Sequence, residues 1–409
     1  MTISIPLGTD ERPLEIESAT VARPPGGTPV DVRGAAAQAV SNPHGPALTD
    51  RVDPDDSVAI VITDATRDVP DDVLLEVLLT TLGRAGVDRS QVSVVIGLGL
   101  HRPMTDAEIG DMLGPHAELA INHDPTDVVT VGTVDGCPVE IGRPVAEADV
   151  VCSTGVVEPH QYAGFSGGAK TVVIGAGSES LIGYTHGPGM LARDGVRLGR
   201  IEDNPFRATL DRAGDLADIE FCCNLTHGPA GVLDVSAGDP RAVVADLAST
   251  ARAALAAPLE PTRAFDAVVC GVGAPKDANL YQATRAATYV ALGAHNPLAV
   301  GGRLVVPAEL PEGVGSGTGE RRFGERLRAA TSAASLYDEM RGGYEPGAQR
   351  AFVLARVLRE YDVWVTDNAV PDVLESRLCS HAPRAEDALG GAEDVLVVPD
   401  AINTLLVDG

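Results

Sequence analysis

Positive charge is scarce in this 409-residue chain: 31 lysines and arginines stand against 58 aspartates and glutamates, for a formal net charge of −27. A surface of that sign repels phosphate backbones and anionic lipid, which excludes nucleic-acid binding and membrane-surface docking. It repels small anionic substrates as well, so an anion site must be built locally. Long apolar runs are also missing. No window approaches the ~18 uninterrupted apolar residues of a membrane span. The start, MTISIPLGTDERP, lacks a basic stretch followed by an apolar one, so it does not read as a secretory signal. The six cysteines, at 137, 152, 222, 223, 270 and 379, include no CxxC pair. They read as buried free thiols, and the expected compartment is a reducing cytoplasm. Zinc spacings such as HExxH and the GxSxG nucleophile elbow are absent, so the standard hydrolase templates fail.

What is present is a core-forming α/β pattern. At this length two domains are expected. SVAIVITDA (57–65), QVSVVIGLG (91–99) and runs at 127–131, 138–142 and 149–154 read as strands. Helices are predicted over 71–86, ended by Gly86, and over 105–114, opened by a Thr105/Glu108 capping box. Helices at 204–217 and 239–257 flank a strand at 219–226, and the proline-bearing segment 257–263 marks the domain boundary. Beyond it, strands at 265–273, 302–310, 362–367 and 394–400 alternate with helices at 280–295, 320–341 and 346–361. The expectation is an α/β fold of two domains: residues 1–256 carrying the cofactor and metal site, and 264–409 closing over a substrate, with a cleft between them.

In open α/β sheets, ligands collect at the carboxyl ends of strands, so the residues after each strand matter most. The first strand is followed by Asp64, Thr66 and Arg67, the second by His101, and the strand at 149–154 by the segment from Glu158 to Lys170. Each has a plain structural reading. Asp64 and Thr66 can cap a turn, His101 can sit at a helix entry, and Gly167-Gly168 can be a tight turn. Ala169 before Lys170 breaks the GK[ST] pattern of a nucleotide P-loop. A turn with Ser166 and Lys170 can still cradle a single phosphate. With only nine histidines in the chain, His101, His160 and His186 in Gly- or Pro-bounded loops beside Lys170 suggest one active site.

DATR (64–67), GLHRPMT (99–105), EPHQYAGFSGGAK (158–170) and His186, with LYQATRA (280–286) and PGAQRAFVLARVL (346–358), together resemble the nickel-dependent lactate racemase family. The resemblance implies a nickel pincer cofactor of the pyridinium-3,5-dithiocarboxylic acid mononucleotide type, made by dedicated cofactor-synthesis proteins. It implies that Lys170 can be joined to the cofactor, that His186 ligates nickel, and that His101 and His160 form the acid/base pair. Ser166, Gly167 and Gly168, with Asp64 and Thr66, would hold the cofactor phosphate. Arg67 and Arg285, with Tyr281 and Gln282, would hold the substrate. A lysine commonly stands in the family where this chain has Arg285, and a tryptophan near Gln349 is replaced. Both changes favour a 2-hydroxy acid larger or more polar than lactate. Two further readings stay open: a zinc-dependent hydrolase or lyase built on His101, His160 and His186, and a non-catalytic binder of the cofactor.

Overall fold

The computed structural model describes residues 1–375 and 377–409. Two six-stranded sheets organise it. The first runs, edge to edge, Gly231–Gly238, Ile219–Gly228, Val150–Val156, Val58–Thr63, Val92–Gly97, Ala120–Asn122, parallel except for the first pair. Its strands are apolar on both faces because both are covered. Ile60, Ile62, Val94 and Ile96 pack with Leu74, Leu78 and Ile109 of the helices Asp71–Ala85 and Asp106–Leu113. Ala59, Val61 and Val95, one residue out of phase, pack with Val172 of Ala169–Gly175 and Phe206 of Pro205–Leu216.

The second sheet is all parallel, in the order Ser380–Ala382, Asp362–Thr366, Leu298–Pro307, Phe265–Cys270, Val395–Val398, Thr20–Val21. Its edge strand comes from the start of the chain. The hairpin Thr2–Leu7/Asp10–Glu15 also sides with this sheet, burying Ile3, Ile5 and Leu14 against Ala267, Val269 and Val397. Strand pairing therefore assigns the first two dozen residues to the C-terminal half, where the sequence division at 1–256 placed them in the other. A two-residue edge strand leaves no periodic signal to read.

The helix limits follow their caps. Gly86 ends the first long helix at φ 96°, and the Thr105/Glu108 capping box forms with both of its hydrogen bonds. The span 320–341 resolves into two helices, Thr318–Ala329 and Ala333–Gly342, the second opened by a Ser332 cap. The runs near 127–142 do not join the main sheet. Val128–Val134 and Cys137–Gly142 pair antiparallel through Asp135 and Gly136, both at positive φ. A two-residue Asp-Gly link closes a hairpin and is too short for a parallel crossover. All six cysteines are free, and five are buried. No helix among the described residues is long and apolar enough to cross a membrane.

Candidate active site

In the first sheet the chain winds outward from Val58–Thr63 to Ala120–Asn122, then returns to lay Val150–Val156 on the other side of Val58–Thr63. That reversal opens a crevice at the carboxyl ends of these two strands. A cavity of about 260 Å³ occupies it. The first half supplies Asp64, Arg67, His101, Glu158, His160, Lys170 and His186, and the second half supplies Tyr281, Arg285, Tyr289, Gln349 and Arg350. Tyr281, Arg285 and Tyr289 are spaced by four on the helix Leu280–Ala291, so one helical stripe forms that wall. The halves are tied beside it by hydrogen bonds from Tyr344 Oη to the Gly183 carbonyl (2.8 Å) and from Arg356 to the Leu191 carbonyl (2.6 Å).

Eleven of the fourteen residues singled out from sequence line this cavity, Ser166 and Gly167 among them; Thr66, Gly168 and Gln282 stand behind it. Thr66 donates from both its hydroxyl and its amide to Asp64 Oδ1. Gln282 accepts from the Arg285 guanidinium at 3.4 Å. The Gly168 amide is taken by Asn224 Oδ1 at 2.8 Å, and Ser166 Oγ donates to the Val156 carbonyl while accepting from the Glu158 amide. The Ser166 hydroxyl and Gly168 amide thus hold the turn itself. Arg207, which sequence reading passed over, is buried behind this turn and donates to the carbonyls of Phe165, Ser166 and Gly167. Gly164 is demanded by the same construction: at φ 77°, a Cβ there would lie 2.0 Å from the Arg200 carbonyl oxygen.

The three histidines are held in three different ways. His101 stands at the rim, its side chain 56% exposed, with Nδ1 2.5 Å from Asp64 Oδ2. A carboxylate only accepts, so Nδ1 carries the hydrogen and Nε2 is left free as a base. Burial works against the charge on Asp64, but hydrogen bonds from His101 and Thr66 outweigh it and keep the carboxyl below its usual range. His160 is the reverse: its Nδ1 accepts from the amides of Ala163 (3.1 Å) and Tyr162 (3.3 Å), so the neutral ring carries its proton on Nε2. Burial first, then Lys170 and His186, push its pKa well below the usual value. His186 caps the helix Glu179–Thr185, and its Nδ1 lies 3.2 Å from the Ile182 carbonyl. Nδ1 therefore donates and Nε2 keeps an open lone pair. Burial and nearby Lys170 push this imidazole down to about 3, so it is neutral. Phe206 packs between His160 and His186, with ring centroids 6.2 and 5.1 Å away.

Lys170 lies on the first turn of Ala169–Gly175, and burial, with Arg67 and Arg207 nearby, brings its amine down to about 7. Four buried polar atoms of residues lining the cavity lack a hydrogen-bond partner among the described residues: Thr63 Oγ1, Gln161 Oε1, Tyr162 Oη and Arg285 Nε. Each such group costs ~1–3 kcal/mol if left unsatisfied, so the cavity is shaped for a polar occupant. Among the described residues, no three His, Cys, Asp or Glu side chains gather closely enough to hold a metal by themselves. Glu158, 3.4 Å from Arg67, and Arg350 were also missed from sequence. Arg350 carried one available signal, its place next to Gln349 at the start of a predicted helix.

The lactate racemase N-terminal domain family matches residues 8–199. A lactate racemase of Thermoanaerobacterium thermosaccharolyticum is 25% identical over 385 residues, covering 90% of this chain and 89% of that one. A lactate racemase of Lactiplantibacillus plantarum is 27% identical over 378 residues, covering 86% and 85%. The lactate racemase apoprotein structure from T. thermosaccharolyticum superposes with a TM-score of 0.87 at 21% identity over the whole of both chains. A Thermotoga maritima protein structure superposes at 0.68, with 18% identity, covering 92% of this chain and 97% of that one. The relatives matched over most of the chain support an isomerase of the racemase class. Residues 8–199 match the N-terminal domain of the lactate racemase family, and most of the chain is similar to lactate racemases at 25–27% identity.

Proposed function

We propose that the chain interconverts the stereoisomers of a 2-hydroxy acid more polar than lactate, using a nickel pincer nucleotide. The observation that carries this reading is the single cavity that joins a neutral His186 with an open Nε2, a buried Lys170 amine, and two oppositely polarised histidines. The donor set fits that group. His186 would hold nickel through the open Nε2 of its neutral imidazole, with the remaining donors coming from the cofactor. The buried amine of Lys170 suits attachment to it. Removing an unactivated Cα proton beside a carboxylate is hard, and no side chain accepts hydride; the cofactor supplies that acceptor when bound.

The chain's own groups do the rest. His101, oriented by Asp64, takes the substrate hydroxyl proton at Nε2. His160 offers its Nε2–H to the same oxygen from its own side of the cavity. For His160 to take a proton at Nε2, its Nδ1 must carry one and turn away from the Tyr162 and Ala163 amides, so its change of role is coupled to movement of that turn. Arg285 and Arg67 receive the carboxylate. The free, buried cysteines suit a reducing cytoplasm, where cofactor-synthesis proteins would load the chain.

Native mass, nickel content and visible spectrum of protein co-produced with the cofactor-synthesis enzymes, followed by a panel of D- and L-hydroxy acids, test the reading. Bound nickel and nucleotide with interconversion of the enantiomers are expected. One zinc and no adduct would instead indicate a hydrolase or lyase. Retained cofactor with no turnover on any panel member would indicate a carrier.

A further inference from the structure

The cations of the cavity are unequally engaged. Arg67 pairs with Glu158, and Lys170 is held near neutrality by burial. Arg285 donates to Tyr289 Oη at 2.7 Å and to Gln282 at 3.4 Å, which aligns its guanidinium and leaves Nε buried without a partner. Arg350 differs from the other two arginines. It sits on the first turn of Gln349–Leu358 with its guanidinium carbon 4.5 Å above the Tyr281 ring centroid, and it makes no hydrogen bond or ion pair among the described residues. Its neighbour Gln349 has its side-chain Oε1 accepting from the Gly347 amide at 2.8 Å, so Arg350 is the freer polar group at this position.

Of the three arginines that line this cavity, Arg350 alone makes no hydrogen bond or ion pair among the described residues. The cavity's two acids cannot serve it, because Asp64 is held by His101 and Thr66, and Glu158 by Arg67. The Tyr281 face fixes the plane of the guanidinium while leaving its N–H edges open. A lactate-like substrate has one carboxylate, which Arg285 can grip with two parallel bonds. Its methyl group would give Arg350 nothing to bind. A second carboxylate would.

The geometry points to Arg350 as a specificity-determining residue that grips a distal acidic group, which makes the substrate a 2-hydroxy dicarboxylate. This inference rests on the racemase reading above. Binding of malate, lactate and gluconate is measured by calorimetry on the apoprotein and on nickel-loaded protein, for wild type, Arg350→Gln and Arg350→Lys. Wild type should prefer malate. Arg350→Gln should weaken malate binding about 10- to 100-fold while moving lactate by less than about 3-fold, and Arg350→Lys should keep part of the preference. Thermal melting close to wild type shows that the variants fold. In loaded protein, the malate-to-lactate ratio of kcat/KM should collapse in Arg350→Gln. Wild-type preference for lactate or gluconate, no malate binding in either form, or equal weakening of all three ligands overturns the inference. Lactate turnover in preference to malate would leave the racemase reading standing, whereas retained cofactor with no hydroxy acid interconverted would remove that reading as well.

Discussion

The two walls of the cavity are built to different rules. On the first-half wall the reactive side chains are pinned by the fold: His101 by Asp64, His160 by two backbone amides, His186 by the Ile182 carbonyl. Ser166, beside them, is pinned by Val156 and Glu158. On the second-half wall, Arg350 stacks on Tyr281 but has no hydrogen-bond or ion-pair partner among the described residues, and Arg285 keeps a buried N–H open. The pinned wall sets tautomers and orientation, which the chemistry needs before substrate arrives. Both walls keep hydrogen-bonding capacity for whatever enters, the first at Thr63, Gln161 and Tyr162, but the unengaged cationic N–H groups are on the second, at Arg285 and Arg350. On the proposed mechanism the first wall carries the acid/base pair and the nickel ligand, and the second the cations that receive the substrate.

That contrast can be broken experimentally. The largest effect is expected from His186→Ala, which should reduce nickel in co-produced protein to background by metal analysis; undiminished nickel would place the ligand elsewhere. His101→Ala should keep cofactor yet lower kcat about 10²–10⁴-fold. Asp64→Asn should do the same in milder form, because an amide can hold Nδ1 in the wrong tautomer, and an unchanged pH–rate profile would separate Asp64 from this role. Arg350→Gln should act on substrate preference alone, and a large loss of cofactor in it would erase the distinction between the walls.

Two smaller effects concern stability rather than turnover. Asp71 is buried with Thr154 as its hydroxyl donor, and burial raises its carboxyl from 3.8 to about 7. The folded state then binds more protons than the unfolded state between those values, so stability falls as pH rises through that window. Asp71→Asn should flatten this slope and stabilise the protein above pH ~7 by at most ~4 kcal/mol, read by urea unfolding at several pH values. Ser166→Ala removes the hydroxyl that links the Val156 carbonyl to the Glu158 amide, for a loss of ~1–3 kcal/mol in the same assay.

Much of this architecture was legible in the chain. Fully apolar strands such as Val58–Thr63 announced a sheet covered on both faces, and the Thr105/Glu108 box announced its helix, because those signals are local. The residues after strand ends pointed to the cavity for a topological reason: parallel strands bring their carboxyl ends to one edge. The hairpin at Asp135-Gly136 was also local: both of its strands were legible as runs at 127–131 and 138–142, and the two-residue link sets their antiparallel pairing.

Nonlocal pairing was out of reach. Nothing in residues 1–22 states that they complete the C-terminal sheet, since that depends on which edge remains open after the rest has folded. The same holds within the site. Sequence placed His101, His160, Lys170 and His186 in Gly- or Pro-bounded loops, whereas the fold puts Lys170 on the first turn of Ala169–Gly175 and His186 at the cap of Glu179–Thr185. Only tertiary structure decided which nitrogen of each histidine is free, because each tautomer follows from a partner that the fold supplies: Asp64, 37 residues away, the turn amides of 162 and 163, and a carbonyl at a helix end. It decided too that Arg350, unremarkable in the chain, faces the cavity uncompensated, because whether a charge is paired depends on the surfaces that meet across two halves of the molecule.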